Sequence, residues 1–385
     1  MRKTVIALAA SAAFVSEPAS AQMALKPGTP SMLFWSPQQQ SDWYRSIERV
    51  YKVETIKKGS RVQSLPKVDK PIDFSFEYGG KTWTVGDYMK AYNVSGALVL
   101  KDGKVLMERY AMGRKPEDRW TSFSVAKSVT STLVGAAIQD GKITSLSAPV
   151  TDYIPDLKGS GYDGVTVRQL LMMSSGVKWN EDYTDPNSDV AQRKPGPNGL
   201  VRYMSRLPRV NEPGTKFNYN TGETDLVGVL VAKAVGRSLS AYASEKIWKP
   251  YGMERDAIWM VEEGGGERGG CCMSMTLRDY GRVGQFILDG GTADGKQILP
   301  PTWTREATSA QITNGAPAPG YGYFWWMRPN GSYEGVGIFG QSVTTFRDDR
   351  IVIVTNAAWP KATDRELSAA RTAFLNAARA AAKGR

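Results

Sequence analysis

Ser124-Val125-Ala126-Lys127 opens a stretch of small and apolar residues that reads as a buried helix to Gln139, ended by Gly141. Downstream stands Pro213-Gly214-Thr215-Lys216-Phe217-Asn218-Tyr219-Asn220-Thr221. On a helix, residues i and i+3 share a face, so the Ser124 hydroxyl and the Lys127 amine can meet. With Ser124 in the first turn, the positive end of the helix dipole faces an incoming electrophile. A serine hydroxyl is a poor nucleophile until a base takes its proton. Lys127 can be that base only if burial or a neighbouring cation lowers its pKa. Alone, S-x-x-K is better read as a solvated helix start. The second segment changes the balance, because its Pro-Gly turn delivers Tyr219 just before a helix that begins near Thr224. A phenol near the lysine can be a phenolate, or can share the proton and pass it to a leaving group. By itself Tyr219 would be a packed loop tyrosine.

Composition removes the alternatives. Among 385 residues, 41% hydrophobic and 23% charged, there is no histidine. A Ser-His-Asp triad is excluded, as is any metal site that needs imidazole. Acid–base work falls to Lys, Tyr, Asp or Glu. The only cysteines, Cys271 and Cys272, are adjacent and cannot build a four-ligand zinc centre. Adjacent cysteines rarely bridge, so two small buried thiols are expected, a vicinal disulfide being the minority case. No metal or cofactor is expected. The formal charge of +11 is spread among acids with no basic run of five, which argues against a nucleic-acid partner. Arg2 and Lys3, the apolar Thr4 to Val15 and the small Ala19-Ser20-Ala21 read as a signal peptide over residues 1–21. A mature chain from Gln22, periplasmic or secreted, follows as the expectation. No cysteine follows the cleavage site and no later segment reaches transmembrane length, so no stable membrane anchor is expected. Oligomeric state is left open.

Residues 22–80 read as an arm of loop and short helix. Ser95 to Leu100, the Asp102-Gly103 turn and Val105 to Tyr110 form a hairpin pattern. Between about 155 and 265 helical signals dominate: Val165 to Met173, Thr224 to Val235 before Gly236, and Leu239 to Tyr251. Strand character returns at Tyr321 to Met327 and Ile351 to Val354, and an Ala-rich helix runs from Asp364 to about Ala382. This order predicts an α/β plus α fold. Its α/β lobe takes about 81–154 and 271–385, and a helical lobe is inserted over about 155–270. Gly335 to Gly340 and Gly264 to Gly269 each satisfy G-x-G-x-x-G, but neither has the strand-to-helix context of a dinucleotide site, and both read as loops.

Taken together, Ser124-x-x-Lys127, Pro213-Gly214-Thr215-x-Phe217-x-Tyr219 and Ile247-Trp248-Lys249-Pro250-Tyr251-Gly252-Met253 resemble the serine β-lactamase and penicillin-binding superfamily. The nearest branch is that of class C β-lactamases, family VIII carboxylesterases and 6-aminohexanoate-dimer (nylon oligomer) hydrolases. Tyr153-Ile154-Pro155-Asp156-Leu157, Val165 to Leu171, and Ser274 through Asp279-Tyr280-Gly281-Arg282 extend the likeness over roughly 95–380. Trp179 to Pro186, Trp325-Trp326 and Gly335 to Gln341 look most like the nylon oligomer hydrolases. The resemblance implies a β-lactamase-like two-lobed fold, an antiparallel sheet flanked by helices. It implies Ser124 as nucleophile, Lys127 and Tyr219 as proton carriers, and an oxyanion hole from the N–H groups of Ser124 and Ile338. It also implies Tyr183 at the scissile amide nitrogen, with Trp326, Thr221, Gly337 and Phe339 around the substrate. Three departures stand out: Gly335-Val336-Gly337 replaces Lys-Thr-Gly, Thr221 replaces an Asn, and Phe339 stands where nylon hydrolases often have His. The missing cation argues against strong β-lactam turnover. Hydrolysis of a small linear amide or ester is expected, with 6-aminohexanoate oligomers as the specific substrate. The alternatives are a short-chain family VIII carboxylesterase, a β-lactamase or DD-peptidase, and a non-catalytic cell-envelope binding protein.

Overall fold

A computed structural model describes residues 31–315 and 319–385. The signal-peptide assignment lies outside the described residues. The hairpin is present as β2 (Val94–Lys101) and β3 (Lys104–Tyr110), following β1 (Val53–Ile56) in the arm. Short β4 (Trp120–Thr121) leads into helix α1 (Val125–Gln139), which is capped at Ser124. Further on come α2 (Val167–Leu171), α3 (Gly199–Met204) and α4 (Thr221–Val235, stopped by Gly236 at φ 69°). Where one helix was expected over Leu239 to Tyr251, an α-helical turn at Leu239–Ala243 passes into a wider π-type coil at Ser244–Gly252. Pro250 lies inside that coil and has no N–H to donate to the regular ladder.

Strands β5 (Ala257–Met260) and β6 (Met273–Met275) precede α5 (Leu277–Leu288). The expected strand Tyr321 to Met327 is two short ones, β7 (Gly320–Tyr321) and β8 (Trp326–Met327), folded back on each other. Then come β9 (Tyr333–Gly337), β10 (Gln341–Phe346), β11 (Ile351–Ala357) and helix α6 (Arg365–Lys383). Gly335 to Gly337 is therefore strand rather than loop.

The main sheet has the order β7-β8-β9-β10-β11-β2-β3, and every neighbouring pair is antiparallel. Successive side chains of a strand point to opposite faces. Leu98, Leu100, Val352 and Val354 accordingly enter the larger core, which α5 covers. Ala97, Val99, Ile351 and Ile353 enter a second core with Phe374 and Ala378 of α6. This is the predicted antiparallel sheet flanked by helices, with helices inserted between its halves.

A second sheet, in the order β1-β5-β6-β4, corrects the expected division of the chain. The arm supplies β1, and β5 falls within the stretch assigned to the helical lobe; they pair from Val53↔Met260 to Ile56↔Ala257. β1 is short and two of its four residues are exposed, so its pattern is too brief to read as a strand. Cys271 and Cys272 are paired as a vicinal disulfide, the minority case, in place of the two thiols expected. Among the described residues no single helix is long and apolar enough to cross a membrane, and no group of three metal-ligating side chains occurs.

Candidate active site

The nucleophile candidate sits where strand turns into helix. Trp120 and Thr121 pair with Met275 and Ser274. Ser122 continues the ladder, its N–H donating to the Met273 carbonyl at 2.7 Å and its Oγ accepting from the Met273 N–H at 2.9 Å. Phe123 then takes φ 44°, a left-handed conformation that costs a bulky residue about 1–3 kcal/mol. The next residue, Ser124, is the N-cap of α1, yet its side chain makes no capping hydrogen bond. Its hydroxyl instead lies near enough to the Tyr219 phenol to lower that phenol's pKa.

One turn into α1, Lys127 is 1% exposed. Its ammonium donates to Thr221 Oγ1 at 2.9 Å and to the Gly270 carbonyl at 3.1 Å, and it lies 5.3 Å from the centre of the Tyr219 ring. Burial pulls its pKa down to about 8, with Glu181 and Asp225 opposing and Arg268 assisting. The free amine is thereby brought within reach of moderate pH. Tyr219 moves the other way. Burial and then the Glu181 charge push its phenol up, and the neighbouring Ser124 hydroxyl offsets only part of this. Of the two states open to this tyrosine, the neutral phenol that shares a proton is the one its surroundings favour. The ring stacks on Trp326 at 5.5 Å and 24°, so Trp326 is brought to the site through Tyr219.

Glu181 gathers the neighbouring groups. Its carboxylate accepts from the Tyr183 hydroxyl at 2.7 Å, the Thr221 N–H at 3.0 Å, the Thr221 hydroxyl and the Trp179 indole. Tyr183 is thereby held beside Thr221 and its phenol is pushed up, first by burial and then by that carboxylate. Sequence reasoning quoted Glu181 within a motif but gave it no role. The signal was there: an acid with aromatic donors two residues to either side, Trp179 and Tyr183.

A cavity of 370 Å³ opens beside these groups, lined by Ser124, Phe123, Tyr183, Thr221 and Ile338, among others. Phe339 is not brought to it. Its backbone at φ 59° turns the ring away, to lie 2% exposed at 5.2 Å from Phe123 and 6.0 Å from Tyr44. Gly337 is a point of close approach, since a Cβ there would lie 2.4 Å from the Ser122 carbonyl oxygen. Gly270 is another, where a Cβ would lie 2.8 Å from the Lys127 amine.

A buried hydroxyl–amine–phenol cluster at the mouth of a helix suits acyl transfer without histidine or metal ligands. Comparison with known proteins agrees. The family model for beta-lactamase matches residues 84–377. The 6-aminohexanoate-dimer hydrolase of Paenarthrobacter ureafaciens is 34% identical over 284 residues, 68% of this chain and 72% of that protein. A Bacillus anthracis structure, named as a candidate 6-aminohexanoate-dimer hydrolase, superposes with a TM-score of 0.79 at 22% identity, covering 91% of this chain and 98% of that one. A family VIII carboxylesterase superposes with a TM-score of 0.58 at 16% identity, covering 76% and 96%. The extent of the family match, together with the close relative, means that this chain is a hydrolase and belongs to the beta-lactamase family.

Proposed function

We propose that this protein cleaves amide or ester bonds of small linear substrates through an acyl-enzyme on Ser124, with 6-aminohexanoate oligomers as the first choice. The observation that carries the reading is the fully buried Lys127 amine, one helical turn from Ser124 and beside Tyr219. Ser124 Oγ attacks the carbonyl carbon, and its proton passes through the Tyr219 phenol toward the Lys127 amine. Ser124 and Ile338 line one cavity, and their N–H groups would hold the oxyanion, a device worth about 3 kcal/mol per donor. Tyr219 returns a proton to the departing amine or alkoxide. Water then attacks the acyl carbonyl, and the same groups run in reverse. Tyr183, held by Glu181, is the group that meets the scissile amide nitrogen. Gly335-Val336-Gly337 offers no side-chain cation for a β-lactam carboxylate.

The test is initial hydrolysis rates on a short p-nitrophenyl ester and on 6-aminohexanoate dimer, with Ser124→Ala as the blank. Turnover of both, lost in the variant, is the expected outcome. Ester turnover alone would move the protein to the carboxylesterases, and turnover that survives Ser124→Ala would end the acyl-enzyme reading.

A further inference from the structure

The Glu181 carboxylate meets its donors two to an oxygen. Oε1 accepts from the Tyr183 and Thr221 hydroxyls, and Oε2 accepts from the Thr221 N–H and the Trp179 indole N–H. A carboxylate only accepts and has about four lone-pair sites, so this one is filled. The two N–H groups can do nothing but donate. A hydroxyl is different, because its single proton can be turned toward any of several neighbours. Here both hydroxyl protons are committed to Glu181. The Thr221 oxygen is thereby left as an acceptor, and it takes a hydrogen bond from the Lys127 amine at 2.9 Å. The Gly270 carbonyl takes another at 3.1 Å, so neither contact covers the lone pair of the free amine. The Tyr183 oxygen is likewise left to accept, and Tyr183 lines the cavity with Ser124 and Thr221.

We infer that Glu181 sets which bond the site prefers to cleave: by taking the Tyr183 proton it leaves an acceptor at the leaving atom, which fits the N–H of a secondary amide and opposes the lone pairs of an ester oxygen. This rests on the acyl-enzyme reading, and on Tyr183 meeting the leaving atom, as proposed above. Glu181 acts through Tyr183 and Thr221, so it is a positioning residue. Exchange for glutamine reverses the arrangement in a defined way. The glutamine oxygen must face the Thr221 N–H and the Trp179 indole, which only donate, so its amide N–H groups face the two hydroxyls. Both hydroxyls then accept from it and their protons turn outward. The Tyr183 proton enters the cavity, where it suits an ester oxygen and repels an amide N–H. The Thr221 proton turns toward the Lys127 lone pair and weakens the base.

The experiment compares the full chain with Glu181→Gln, Tyr183→Phe and the double variant, on p-nitrophenyl butyrate and on its matched anilide, N-butyryl-p-nitroaniline. The readout is the ratio of anilide to ester kcat/KM, because an ester is intrinsically the easier bond to cleave. Glu181→Gln should lower that ratio about tenfold. In the Tyr183→Phe background the same exchange should lower it no further, since the hydroxyl it acts through is gone. The pH–rate inflection of Glu181→Gln should also move below 8 for both substrates, because the Glu181 charge holds the Lys127 pKa up. A ratio unmoved in Glu181→Gln would overturn the inference and leave the acyl-enzyme reading standing, provided turnover still depends on Ser124. If that variant does not fold, an unmoved ratio in Tyr183→Phe overturns it equally, as does a wild type that cleaves the ester and never the anilide. Turnover that survives Ser124→Ala would bring down the acyl-enzyme reading itself, and the role of Glu181 with it.

Discussion

Burying Lys127 disfavours its charged form, which turns an ordinary ammonium into a base at moderate pH. The sign is fixed by the direction of the shift. The pKa falls from 10.5 to about 8, so the free amine grows as pH rises through 8, and activity should rise with it. An ester-hydrolysis profile from pH 6 to 10, corrected with Ser124→Ala, should show an inflection near 8. Lys127→Arg should remove the limb and nearly all turnover, because a guanidinium stays charged throughout. Gly270 belongs to the same scale. Its carbonyl holds the amine at 3.1 Å, and a Cβ would press on it at 2.8 Å and on the Thr221 carbonyl at 3.0 Å, so Gly270→Ala should cut kcat by about tenfold or more and lower the melting temperature. A variant as active as wild type would mean that the amine tolerates displacement.

At the scale of elements, two backbone junctions frame the site. The β4–α1 junction carries Phe123 in a left-handed conformation, and β9 presses Gly337 against the Ser122 carbonyl. Gly337→Ala should push β9 off the nucleophile strand and lower kcat strongly in a chain that still folds, as circular dichroism beside rate measurements would reveal. The start of α4 holds a buried acid, Glu223. It accepts from the Ser175 hydroxyl, lies 3.3 Å from the Asn220 amide, and is pushed up to about 8 by burial, with the neighbouring Ser175 and Tyr162 hydroxyls opposing. A folded pKa above the unfolded 4.5 means the fold holds a proton the unfolded chain has lost, so this group's contribution declines as pH rises from 4.5 through 8. Glu223→Gln should therefore match wild type near pH 5 and melt progressively higher than wild type toward pH 9. A gap that does not widen with pH would refute this. Sequence periodicity located α1, α4, α6 and the β2–β3 hairpin because each carries its signal within one or two turns. It missed β1 and the break between β7 and β8, because strands of two to four residues carry no usable period.

For the whole molecule, the arm is the element whose place depends most on the rest of the chain. It pairs with β5, packs on Phe123 and walls the cavity, although it reads by itself as loop and short helix. Export is proposed from the N-terminal pattern, and mass spectrometry of the secreted protein should find a chain beginning at Gln22; an uncleaved Met1 would refute it. That Ser124, Lys127 and Tyr219 come together as a candidate cluster was legible in the sequence because an i, i+3 pair on a helix and a Pro-Gly turn before a helix are local devices. The absence of histidine was equally decisive, since it left acid–base work to Lys, Tyr, Asp or Glu. Glu181 as a shared acceptor, the arm as a cavity wall and the burial of Phe339 were decided only by tertiary structure. Each depends on segments far apart in the chain meeting at hydrogen-bond or van der Waals distance, and local propensity holds no record of such closures.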